Sequence, residues 1–167
     1  MSINWNKILW ISTIFLFVMF SIVIFYVDPM IDGKGGSGVI ALQLSFFVDR
    51  AIEVVNSWDI GGADRFKKYI FTDYIYAIAY VLFFVSVLKV LMHKKRASNR
   101  YNFFVYFAIL AGILDWVENS IEIAFVSNMQ NFSEILFFLH SVISVIKWSA
   151  LPIVLIGIFI LIPKKIK

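Results

Sequence analysis

The sequence predicts an all-α, integral membrane four-helix bundle with an outward-facing 41-residue loop that contains a short amphipathic helix. Three observations predict it. Of the 167 residues, 61% are hydrophobic and 16% charged, whereas soluble domains average about 45–50% and about 25%. Four apolar runs, about 8–27, 69–92, 101–126 and 135–162, are each long enough to cross a hydrocarbon core of about 30 Å. The basic excess behind the net charge of +4 lies directly beside these runs, in "HKKRASNR" (93–100) and "KKIK" (164–167). Four spans leave no room for a second domain, so 1–167 reads as a single membrane domain.

The first run follows Lys7 but is too long for the core of a signal peptide and has no small-x-small cleavage site after it, so it reads as a retained span. Asp28-Pro29 should stop its helix. The outer segment 28–68 then begins with "IDGKGGSG" (31–38), a glycine-rich linker. A phosphate-binding loop would need G-x-x-x-x-G-K-[ST] between a strand and a helix, and here the lysine comes too early. "VIALQLSFF" (39–47) partly alternates, which predicts a short extended segment.

Asp49 is placed to cap a helix over "RAIEVVNSW" that turns Ala51, Ile52, Val55 and Trp58 to one side. Such a helix lies in the membrane interface or lids the bundle. "DIGGAD" (59–64) turns the chain, with Asp64 placed to cap the second span. The length of this outer segment points to function, because long ordered loops are usually more than connectors. Before the fourth span, Asn131 or Ser133 can cap, and Glu134 sits at the positive helix end. Pro152 predicts a kink halfway along that span.

Charge placement sets orientation. Segment 28–68 holds six acids against five bases, and 127–134 has only Glu134. Both termini and 93–100 are therefore expected in the cytoplasm, in a cell (inner) membrane. The basic runs read as orientation signals against anionic headgroups, so no nucleic acid partner is expected. The chain has no cysteine, which excludes disulfides, cysteine-ligated zinc and thiol catalysis.

The third run breaks the apolar pattern. Asp115, Glu118, Asn119 and Glu122 follow i, i+3, i+4, i+7 and share one helix face. Ala108, Ala111 and Gly112 extend that face with residues small enough for close helix approach. His140, Ser144 and Lys147 make a second stripe, and Tyr69, Asp73, Tyr76 and Tyr80 a third. From the helical rise, Glu122, Asp73 and His140 should lie about 5–7 Å below the outer end. Asn119, Glu118, Tyr76 and Ser144 should lie at about 10 Å, and Asp115, Tyr80 and Lys147 at about 15–17 Å. The expectation is a funnel open to the outside with an Asp115–Lys147 pair at its floor.

Facing lipid, three carboxylates would cost about 9 kcal/mol, against about 6 kcal/mol returned by the large apolar residues of that run. They must be protonated, paired or watered by neighbouring helices. Asp73, Glu118, Glu122 and His140 offer hard oxygen ligands and an imidazole, a set suited to a divalent metal such as zinc, manganese or iron, three ligands leaving a place for water. Without a metal, the same four are the candidate catalytic acid–base groups. Tyr76, Tyr80, Asp115, Asn119, Ser144 and Lys147 are the candidate ligand-binding groups, and Asp115–Lys147 can equally be a structural pair that fixes register. A heme held by both histidines is not expected, because His93 and His140 belong on opposite sides of the membrane.

"TDYIYAIAY", "LDWVENS" and "IKWSAL", in that order across residues 58–151, resemble a loose group of small four-span bacterial membrane proteins. The resemblance implies the four-helix fold and a shared polar site at Asp73, Tyr80, Asp115, Glu118, Asn119 and Lys147, and carries no chemistry. The chain lacks the histidine cluster of alkaline ceramidases. The expected partner is a membrane lipid whose headgroup carries phosphate or amine, bound or processed in the polar pocket, with assembly into a homo-oligomer or a larger membrane complex also open. A proton- or ion-conducting oligomer is the alternative from another class, although "FFVYFAILAG" (103–112) offers no polar path. A structural or accessory subunit, with the stripes acting as glue, is the third.

Overall fold

The computed structural model describes residues 3–27, 29, 31 and 37–162. The expectations for Asp28, for most of the glycine-rich linker (32–36) and for the basic tail (164–167) lie outside the described residues. The chain is an all-α bundle. Asn4 caps α1 (Trp5–Ile22), its side chain accepting from the Lys7 amide at 3.1 Å, and the helix continues into a π-helical turn, Val23–Val27. Two short helices follow, α2 (Ser37–Gln43) and α3 (Val48–Asn56), then three long ones, α4 (Gly62–Lys95), α5 (Asn102–Ser127) and α6 (Glu134–Leu161). Four helical stretches are long and apolar enough to cross a membrane: Trp5–Val27, Gly62–Lys95, Asn99–Ser127 and Glu134–Leu161. This is a multi-pass membrane protein.

The outer segment corrects the sequence reading at three places. Residues 39–43 are helical and not extended, since α2 occupies 37–43. The alternation was too short to select a strand, and no second strand among the described residues offers a ladder for its backbone groups, which a helix satisfies internally. Asp49 does not cap α3. Phe47 holds the N-cap position without a side-chain bond, Asp49 lies in the first turn, and the amide of Val48 donates to Glu134 Oε2 of α6 at 3.3 Å. Nor does Asp64 cap α4. That helix begins two residues earlier, after Gly61, whose φ of +79° suits glycine. Ser133 is the cap of α6, accepting from Leu136 at 3.3 Å, and α6 remains one helix through Pro152.

α4 ends at Arg96 in the left-handed conformation, φ 50°. The Ala97 amide reaches back to Met92 O and the Arg96 amide to His93 O, a Schellman motif with arginine where glycine is usual. The helices α4, α5 and α6 pack on one another, and α1 packs along α4, where Ser12 and Ser86 share a buried hydrogen bond of 3.1 Å. At Gly112, a Cβ would run into Val81 of α4, and at Gly157 into the ring of Phe104. Absence of a side chain is therefore what lets these helices approach.

Two apolar clusters close the bundle. At the end carrying the α4–α5 turn, Leu88, Met92, Phe104, Val105, Ala108, Val154 and Leu161 fill the interior. At the opposite end, α3 lies as a lid. Its Ala51, Val54 and Val55, with Trp58 just beyond its end, join Leu42 of α2 and cover Phe66, Ile70, Phe125 and Phe137. Trp58 and Phe66 have ring centroids 5.4 Å apart, and Phe125 and Phe137 4.6 Å. Between the two clusters lies a polar layer.

Candidate functional site

The helical stripes predicted from spacing meet in this layer. α5 turns Asp115, Glu118, Asn119 and Glu122 inward, all 4% exposed or less, because its small residues and apolar remainder leave that face toward α4 and α6. Lys147 of α6 donates to Asp115 Oδ1 at 2.9 Å and forms a second ion pair with Glu118. Tyr80 of α4 donates to Asp115 Oδ2 at 3.0 Å. Ser144 donates to Glu118 Oε1 at 2.6 Å. Nearer the lid, His140 Nε2 lies 3.2 Å from Glu122 Oε1, and the Phe137 ring lies tilted against the imidazole, centroids 5.0 Å apart. The floor, middle and upper layers thus fall in the order the helical rise predicts, with Lys147 joining the lower two.

Asp73 is the exception. It is half-buried on α4 and accepts from Asn119 Nδ2 at 2.9 Å, one layer below where the rise alone placed it. Glu118, Glu122 and His140 bring ligand atoms within 4.8 Å of one another and could hold a metal ion; Asp73 is not in that group. A metal there would compete with Lys147, which already occupies Glu118.

Beside the polar layer is a cavity of about 440 Å³. Asp73, Tyr76, Tyr80, Asp115, Asn119, Glu122 and Lys147 form one wall. Leu16, Phe20, Val23, Ile24 and Val27 of α1 and its π-helical turn form the opposite one. Gln43 of α2 and Trp148 of α6 also line it, joined by a hydrogen bond of 3.2 Å from the indole to the amide oxygen. Phe20, Ile24, Ile40 and Trp148 lie at its rim, each exposed. Glu118, His140 and Ser144 do not reach the cavity and stand behind its polar wall. The open funnel expected from the sequence is roofed by α3 on the side of Glu122 and His140, and the space lies instead between α1 and the face made by α4, α5 and α6, with α2 beside it.

Sequence reasoning missed the apolar wall, Gln43 and Trp148. A lone glutamine in the run 39–47 was the available signal for Gln43. Nothing in α1 announced that its last turn widens into a π-helix, a feature common at functional sites. Comparison with protein-family models, curated proteins and solved structures finds no match for this chain. Fold and site together define a multi-pass membrane helix bundle with a buried ionic layer beside a two-walled cavity.

Proposed function

We propose that this protein binds a lipid or another amphipathic small molecule, with the headgroup against Asp73, Tyr76, Tyr80, Asn119 and Glu122 and the hydrocarbon against α1. The observation that carries this reading is the cavity itself: one wall polar, the other wholly apolar, with an apolar rim. Helix glue needs no such space, since polar groups that serve only packing find one another directly. In this reading Lys147, Asp115, Glu118 and Ser144 fix the polar wall, and Glu122 backed by His140 is the pair placed to exchange a proton with a bound headgroup. The protein sits in the cell membrane with both termini cytoplasmic and the α3 lid outside, as the basic turn 93–100 favours. The apolar cluster around Leu88, Phe104 and Val154 argues against conduction through one copy.

Native mass spectrometry of protein extracted in a mild detergent tests the proposal. A retained lipid mass, lost when Val23→Trp fills the apolar wall, is the expected result. A bare monomer under conditions that preserve lipid adducts would overturn it. A retained metal ion would move the chemistry to Glu118, Glu122 and His140, and a bare symmetric oligomer would favour a conduction pathway between copies.

A further inference from the structure

The polar wall is one-sided in hydrogen-bond chemistry. Glu122 and Asn119 border the cavity, and Glu122 Oε2 and Asn119 Oδ1, both buried, have no hydrogen-bond partner among the described residues. Both are acceptors. The one cation on that wall among the described residues is Lys147. Its ammonium has three donors, and it is enclosed by Asp115 Oδ1, Glu118 Oε2 and the face of the Trp148 ring at 5.1 Å. Two of its donors are committed to carboxylates, whose charges together outweigh its own. Asp73, by contrast, accepts from the Asn119 amide, and Glu122 has the His140 imidazole and the Gln43 side chain beside it, none of them a lysine or arginine. A phosphate would bring acceptors and negative charge to a wall that already has an excess of both.

Resting on the amphiphile-binding reading above, we infer that the headgroup recognised in this cavity is a protonated amine, which brings N–H donors and positive charge. A primary ammonium offers three donors and no acceptor, so it complements Glu122 Oε2 and Asn119 Oδ1 together. Tyr76 and Tyr80, packed edge to face with centroids 5.7 Å apart, border the same space, and aromatic walls favour cations. The carboxylate of Glu122 becomes the principal anchor, and Lys147 becomes a strut that holds Asp115 and Glu118.

The test is competition by native mass spectrometry, with dodecylamine, dodecyl phosphate, dodecanol and butylamine offered to the intact protein at equal concentration below micelle formation. Dodecylamine should be retained at least about tenfold over dodecyl phosphate and dodecanol, the value of one charge-assisted hydrogen bond. Glu122→Gln should abolish that preference while leaving dodecanol retention within about twofold. Should that variant fail to fold, Asp73→Asn, at a half-buried position, tests the same charge. Retention of dodecyl phosphate equal to or above that of dodecylamine overturns the amine but leaves the amphiphile pocket standing. Retention of none of the three long-chain probes overturns both. Butylamine bound as tightly as dodecylamine supports amine recognition and overturns the amphiphile.

Discussion

Replacing Lys147 by methionine tests whether the ionic layer is held by this one cation. The substitution keeps an unbranched, mainly apolar stem in a site that is only 5% exposed, and removes the charge that sits between Asp115 and Glu118. Leaving a buried ion pair without one partner costs about 3–5 kcal/mol. The two carboxylates are not left bare, since Tyr80 still donates to Asp115 and Ser144 to Glu118, each hydrogen bond being worth about 1 kcal/mol or somewhat more. The loss should therefore fall near the lower limit, about 3 kcal/mol, or more than a hundredfold in the folding equilibrium. Reversible unfolding with sodium dodecyl sulfate in mixed micelles, followed by tryptophan fluorescence, reads this directly. The triple variant Lys147→Met, Asp115→Asn, Glu118→Gln removes both orphaned charges without changing shape, and should recover most of the loss. A single variant within about 1 kcal/mol of the native protein, or a triple variant no more stable than the single one, would refute the view of Lys147 as the strut of the layer.

Three further outcomes are expected. Gly112→Ala places a methyl group against Val81 and should destabilise by about 1–3 kcal/mol in the same unfolding assay, since overpacking forces the helices apart. Arg96→Gly should stabilise by about 1 kcal/mol, because it relieves a left-handed conformation at an exposed helix end; no gain in the unfolding midpoint would count against strain there. The cysteine-free chain allows single labels to read topology: Asn99→Cys, in the basic turn, and Gln130→Cys, before α6, are both exposed. Only the second should react with an impermeant maleimide on intact cells, and the reverse pattern would invert the proposed orientation.

What the sequence could disclose followed from periodicity. The i, i+3, i+4, i+7 spacing of Asp115, Glu118, Asn119 and Glu122 has one geometric meaning on a helix, and the lengths of the runs fixed how deep each group lies. Grouping by depth therefore put Tyr80, Asp115 and Lys147 in one layer and Glu118 and Ser144 in another, and named the Asp115–Lys147 pair. Where side-chain reach exceeds one helical rise, depth was a poor guide: Lys147 touches two layers, and Asp73 reaches down to Asn119 instead of across to Glu122. The outer segment was less legible still, because caps and short helices depend on tertiary partners. Val48 is capped from α6, 86 residues away, and no local pattern encodes such a bond. The cavity was invisible for a related reason: a space is defined by what α1 fails to touch, which is a property of packing and not of any run of residues.

That asymmetry gives the bundle its character. A span with three carboxylates barely inserts on its own arithmetic, so α5 is stable in a membrane only when α4 and α6 deliver their donors to it: Tyr80, Ser144, His140 and Lys147. The three helices form an interdependent polar core. α1 contributes no side chain to the hydrogen bonds of this ionic layer; its interior bond is Ser12 to Ser86 on α4, toward the other end. It is the one span whose removal would leave every ion pair of the layer intact, while taking away the apolar wall of the cavity. A helix that is dispensable to the ionic core yet forms one whole side of a two-walled space has its place explained by the space. This is the physical reason to seek the protein's role in what occupies the gap between α1 and the face made by α4, α5 and α6, and not in the ion pairs that first draw the eye in the sequence.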